Sequence, residues 1–263
     1  MQGLREPAAW KAHNGRLTSP SSSADSGGAL RCAQRPQSML HRISDVFAAA
    51  RDLEGLADAI AATIDAKDGY THRHSERVAA LSRRIALEIG LSADEQRTVY
   101  LAALLHDAGK IAIPDSILNK PGRLTAEEFA EMKNHPRYGA RILATIQIPA
   151  VTAVLPGVLY HHERWDGGGY PQGLRECQIP LIGRLLGVAD FYDAVTSARA
   201  YRPAIPKAEA IAMIADGAGT HFDPALVEVV TRLHRRGDLL PPGWEKLLPV
   251  RDSGLPARVR VSR

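Results

Sequence analysis

Cysteine is nearly missing from this 263-residue chain, which has only Cys32 and Cys177. Two isolated thiols exclude a disulfide framework and a thiolate zinc knot, and they make a reducing compartment the default. Aromatic residues are also scarce: three Trp, seven Tyr and four Phe. Paired runs of alternating β-branched residues are absent, so nothing marks a sheet. The body of the chain lacks excess basic charge, although the whole carries +4. Residues 1–38 hold five Arg or Lys and two acids, and residues 251–263 hold four Arg and one Asp, so the stretch between is net acidic. That distribution excludes a basic face for DNA or RNA. A membrane span is excluded as well. The one long uncharged run, residues 142–160, is broken by Pro149 and Pro156 and diluted by Gln147 and two threonines. No continuous apolar stretch near the start suggests a signal peptide, so a cytoplasmic location is expected.

What remains is rich in alanine and leucine, strong helix formers, and is 45% hydrophobic, as a globular chain should be. Residues 1–38 include SPSSSADSGG and show no apolar period, so a disordered basic tail is expected, dispensable for folding and activity. A folded unit is expected over 39–249, followed by a short basic tail over 250–263. Ile43, Val46, Phe47, Ala50, Leu53, Leu56, Ile60 and Ile64 keep helical spacing, as do Val78, Leu81, Ile85 and Ile89 before Gly90. Ser92 with Glu95 and Thr125 with Glu128 are capping boxes. Pro136 and Pro224 suit first helical turns, and helices are expected over 181–198 and 207–216. The fold class is all-α, with roughly eight to ten helices by counting such elements.

Chemistry concentrates in a few imidazoles and carboxylates. His106 and Asp107 close an apolar helical run in LLHDAGK. His135 precedes Pro136 at a helix start, and His161 and His162 stand side by side in HHERWDGGGYP. Asp190 lies in LLGVADFYDAV, where an apolar helix would bury a carboxylate at a cost unless it had a partner. His74 sits on the helix that carries Val78 and Leu81. A metal is the partner that unites these residues, and nitrogen and oxygen donors without thiolates suit Fe, Mn, Co, Ni or Zn. There are more donors than one four-coordinate ion needs. They suit two ions bridged by a carboxylate, a device for displacing oxygen from phosphorus. The glycines after the histidine pair permit close backbone approach to a ligand, or form a bare surface turn.

Six ordered stretches resemble the HD-GYP family, cyclic di-GMP phosphodiesterases within the HD metallohydrolases. They are DGYTHRHSERV, LLHDAGKIAIPDSILNKPGRLT, MKNHPRYGARIL, HHERWDGGGYPQGL, IPLIGRLLGVADFYDAVTSARAYR and AGTHFDP, together covering most of residues 60–235. The resemblance implies an HD-type helical bundle with a metal site at its centre. It implies His74, His106, Asp107, His135, His161, His162 and Asp190 as metal ligands, with Asp107 as the bridge. Tyr70 stands where some members carry a glutamate for a third metal, so two divalent ions are expected, with Fe or Mn ahead of Ni, Co or Zn. His72 falls on another face and is expected at the surface. Lys110 matches the family's HDxGK lysine and would assist Asp107 in catalysis and contact phosphate, against the plain reading of a solvated helix-end lysine. Tyr170 and Pro171 are implied in substrate contact. Asp193 could hold the lysine, a water or a guanine edge. Arg199 and Arg202 could bind phosphate or guanine, or simply pair at the surface. Glu176 replaces a glycine usual in the family, which is expected to alter the loop.

The activity implied is hydrolysis of cyclic di-GMP, either to pGpG alone or through it to GMP. Two alternatives stand beside it. One is an HD-type phosphohydrolase on another cyclic dinucleotide or a nucleotide, against which the Gly-Tyr-Pro element argues. The other is a catalytically weak receptor or adaptor for cyclic di-GMP or a diguanylate cyclase, against which the full ligand set argues.

Overall fold

Helix starts follow local capping chemistry in the computed structural model, which describes residues 53–68, 73–146, 148–198, 203–240 and 243–244. At Ser92 the backbone N–H donates to Glu95 Oε2 at 2.8 Å, and the Glu95 N–H donates back to Ser92 Oγ. Thr125 and Glu128 repeat the exchange at 2.7 and 3.2 Å. Asp223 accepts from the Ala225 N–H at 2.9 Å, with Pro224 in the first turn. Each device satisfies backbone donors that a helix start leaves unpaired.

Among the described residues the α-helices are α1 (53–67), α2 (His74–Glu88), α3 (Ala93–Leu105), α4 (Asp115–Leu118), α5 (Ala126–Met132), α6 (His135–Leu143), α7 (Pro149–Tyr160), α8 (Leu181–Thr196), α9 (Lys207–Asp216) and α10 (Pro224–Arg235). No strand occurs among them, in keeping with the all-α expectation. Within the uncharged run 142–160, residues 142–143 end α6, 144–145 form a turn and 149–160 form α7, with Pro156 inside the last, while Gln147 lies outside the described residues. No described helix is long and apolar enough to cross a membrane. Residues 1–38, the pattern over 43–50, Tyr70, His72, Arg199 and Arg202, and the segment 250–263 lie outside the described residues.

α3 is the central helix. Every residue from Val99 to Leu105 is buried, so its second half needs neighbours all round, and α2, α7 and α8 supply them. α1 lays Leu53, Ala57, Ala61 and Ile64 inward, while Leu56 turns out to be exposed. It belonged to the expected stripe but sits at the stripe's edge. α9 and α10 close the far side against α8.

One seam decides where the functional residues meet. A short 3₁₀ turn, Ala108–Ala112, follows α3 and packs on α6. A Cβ on Gly109 would overlap the His135 carbonyl oxygen and the Gly139 N–H. Only glycine admits this approach. It brings the end of α3 directly against the start of α6.

Candidate metal centre

Three histidines stand where helices end or begin. His106 caps the C-terminus of α3, His161 caps that of α7, and His135 opens α6. Each hydrogen-bonds through Nδ1 to the carbonyl three residues earlier: His106 to Ala103 at 2.6 Å, His135 to Met132 at 2.9 Å and His161 to Val158 at 2.9 Å. Helix ends leave carbonyls free, so the imidazole N–H finds an acceptor without leaving its own turn. The bond fixes the tautomer and turns Nε2 toward a common centre. His74, in the first turn of α2, is oriented by another route. Its Nδ1 lies 2.7 Å from Asp193 Oδ2 on α8.

The donors sort into two groups joined by one carboxylate. Asp107 Oδ2 lies 3.3 Å from His106 Nε2 and 3.8 Å from His74 Nε2. Asp190 Oδ1 lies 3.3 Å from His74 Nε2 and 4.0 Å from His106 Nε2. On the other side, Asp107 Oδ1 lies 3.3 Å from His135 Nε2, which is itself 3.3 Å from His161 Nε2. His162 completes that side, its ring 4.1 Å from that of His161 and 5.0 Å from that of His135. His74, His106 and Asp107 could hold one ion, and His135, His161 and His162 another. The two oxygens of Asp107 face one group each.

The electrostatics fit cations better than they fit an ion-free core. His106 Nε2 is buried and makes no hydrogen bond, an orphan that ordinary packing avoids. Burial pushes His135 down to about 4 and His162 to about 3, and it holds His161 well below the usual range, so all three present lone pairs at neutral pH. Burial opposes charge on Asp107 too, yet the Lys110 ammonium and His106 hold its carboxyl well below its ordinary value. Burial alone would lower His74, but the Asp190 and Asp193 carboxylates raise it to about 10. Three neutral imidazoles, with a buried and a half-buried carboxylate whose negative field draws positive charge to His74, make a donor set that divalent transition ions favour.

Lys110 is not a solvated helix-end lysine. Its Nζ lies 2.8 Å from Asp107 Oδ2 and 3.0 Å from Asp68 Oδ2. Lys67 fastens the same region, donating to the carbonyls of Ile111 and Ile113 at 2.9 and 2.8 Å. Asp193, expected to face lysine, water or guanine, is 2% exposed. Its oxygens take His74 Nδ1 and Arg77, whose Nε and Nη2 donate at 2.6 and 3.0 Å, so it orients a histidine. Reading the sequence also passed over Asp68, Arg77 and Glu163. An acid directly after a histidine pair, and one opening DGYTHRH, were the available signals.

Tyr170 is brought beside the cluster. Its ring stacks on His162 at 4.8 Å and 28°, and its N–H donates to the His162 carbonyl at 3.1 Å. Arg137 Nη2 donates to the Pro171 carbonyl at 2.8 Å, and Lys133 Nζ lies 5.9 Å from the Tyr170 ring centroid. Glu176 stands at a φ of 48°, in the left-handed region that glycine enters more freely.

Comparison with known proteins agrees with this architecture. A family model described as HD domain matches residues 58–226. A Thermotoga maritima protein named cyclic di-GMP phosphodiesterase is 47% identical over 169 residues, 64% of this chain and 46% of its own length. The Xanthomonas campestris cyclic di-GMP phosphodiesterase response regulator RpfG is 43% identical over 173 residues, 66% of this chain and 46% of its own. A Vibrio cholerae 3'3'-cGAMP-specific phosphodiesterase 2 is 36% identical over 194 residues, 74% of this chain and 35% of its own. The chain thus spans less than half the length of these relatives. Among solved structures, the V. cholerae cyclic GMP-AMP specific phosphodiesterase V-cGAP3 shares the fold with a TM-score of 0.57 at 21% identity, over 74% of this chain and 53% of that one. Bd1817 from Bdellovibrio bacteriovorus does so at 0.52 and 23%, over 72% and 62%.

Proposed function

Because this chain belongs to the HD-domain family, we propose that it is a metal-dependent phosphodiesterase of the HD-GYP type, hydrolysing cyclic di-GMP to pGpG. The observation that carries this reading is the split donor cluster, with one carboxylate, Asp107, presenting an oxygen to each half. His74, His106, Asp107 and Asp190 would hold one divalent ion, and His135, His161, His162 and Asp107 a second, with Fe or Mn the best match to the donors. Such a pair supplies Lewis-acid stabilisation of phosphoryl oxygens and an activated water for in-line displacement. The protein's own groups prepare the site. Asp193 and the helix-end carbonyls lock the imidazoles with Nε2 inward. Lys110 holds Asp107 ionised and adds positive charge where phosphate charge must be offset. Tyr170 and Pro171 give the substrate a face beside His162. Arg199 and Arg202 are further candidate contacts. The catalytic unit would span 39–249 between basic tails and act in the cytoplasm.

Relatives named for two different cyclic dinucleotides make substrate choice the sharpest test. Metal content by mass spectrometry and turnover of cyclic di-GMP and 3'3'-cGAMP are measured on one sample, with Asp107→Ala as the inactive control. The reading expects two divalent ions per chain and faster loss of cyclic di-GMP. Turnover of neither dinucleotide by metal-loaded protein would sink it, and preference for cGAMP would replace its substrate.

A further inference from the structure

Glu163 follows the histidine pair and is 6% exposed. A carboxylate so placed is costly unless its oxygens are satisfied. Both oxygens are. Oε1 accepts the Gln172 N–H at 2.7 Å, and Oε2 accepts the Leu174 N–H at 3.0 Å. These donors lie just beyond Tyr170-Pro171, so the side chain bridges the base of a loop to its far limb. Other ties pull the same way. Gly169 is pressed so closely on residues 162–164 that a Cβ would overlap the Arg164 N–H, and the Tyr170 N–H reaches the His162 carbonyl. Outside the loop, Trp165 and Asp166 donate through their backbone N–H groups to the carbonyls of His221 and Thr220, at 3.2 and 2.8 Å. The AGTHFDP segment therefore braces the loop base from behind.

From this geometry we infer that Glu163 is a positioning residue that clasps the Gly-Tyr-Pro loop and so sets the Tyr170 ring against His162. The inference rests on the reading of Tyr170 as a substrate contact. A carboxylate suits the task because two N–H groups arrive at two oxygens. Glutamine offers only one oxygen and turns an NH₂ toward the second donor, and aspartate is one methylene too short to span both. Glu163 makes none of the donor-cluster contacts described above, so its loss should loosen the loop and leave the donor set in place.

The test uses the full chain with Glu163→Ala, Glu163→Gln, Tyr170→Ala and the Glu163→Ala/Tyr170→Ala double variant. Amide hydrogen exchange should quicken in residues 167–174 of Glu163→Ala and stay unchanged at α2 and α3, with metal content unaltered. KM for cyclic di-GMP should rise about tenfold with kcat nearly constant, as loss of two hydrogen bonds to a charged acceptor allows. Glu163→Gln should fall between. The double variant should be no worse than Tyr170→Ala alone, since a clasp has nothing left to position once the ring is gone. Multiplying effects in the double variant would overturn the proposal. So would unchanged exchange in the loop, or exchange that quickens across the whole domain. If the wild-type chain turned over no cyclic di-GMP, the parent reading would fall, while the exchange pattern would still decide whether Glu163 holds the loop.

Discussion

At the residue scale, the sharpest assignment concerns Asp193, whose oxygens are committed to His74 and Arg77. Asp193→Asn keeps the shape but offers the imidazole one oxygen and no charge. Metal affinity should drop roughly 10- to 100-fold, with turnover recovering when excess metal is added. Titration of metal-stripped protein, followed by activity against metal concentration, checks this. A loss that excess metal cannot repair would mean that Asp193 acts on substrate after all. Glu176 allows a second measurement. A non-glycine residue in the left-handed region costs about 1–2 kcal/mol, so Glu176→Gly should stabilise the chain by about 1 kcal/mol and raise its melting temperature by roughly 2–4 °C. A lower melting temperature would show that the glutamate side chain compensates for its backbone.

At the scale of elements, the seam between the 3₁₀ turn and α6 is the joint on which both halves of the donor cluster depend. Gly109→Ala puts a methyl into the His135 carbonyl and the Gly139 N–H, and rigid backbone cannot yield cheaply. The expected cost is about 3 kcal/mol, or roughly 6–12 °C in a thermal melt, with turnover lost even in the fraction that folds. Unaltered melting would mean the seam can open without harm. Much of this scale was legible beforehand. Both capping boxes, the Asp223-Pro224 start and the helix-end places of His106, His135 and His161 follow from signals within four residues of one another. What escaped was long-range. His74 and Asp193 are 119 positions apart, and Lys110 and Asp68 are 42 apart. Spacing on a helix tells which face Asp193 shares with Asp190, but not whether that face meets a mouth or a wall. The same limit hid the pairing that leaves Lys110 half-buried, because its partner Asp68 belongs to a different segment.

For the whole molecule, the proposed ions would join α2, α3, α6, α7 and α8 at one point, so removing them should be felt far from the site. Chelation is expected to abolish turnover and lower the melting temperature, and added Mn²⁺ should restore both. Ligand at a hundredfold over its dissociation constant is worth about 2.7 kcal/mol of folding stability. Calorimetry of stripped and reloaded samples measures it, and an identical melt would argue that the fold ignores its donors. The depth of those donors has a further consequence. His74, His106, His135 and His161 are each no more than 4% exposed, while His162 and Asp190 are half-buried, so an ion bound among them would meet solvent from one side only. Without a chelator its exchange would be slower than at an open surface site, and the ion taken up in the cell would persist through a gentle purification. Two preparations of one sequence, grown in iron-rich and manganese-rich media, would differ in their chemistry while sharing every residue, each carrying a record of where it was made.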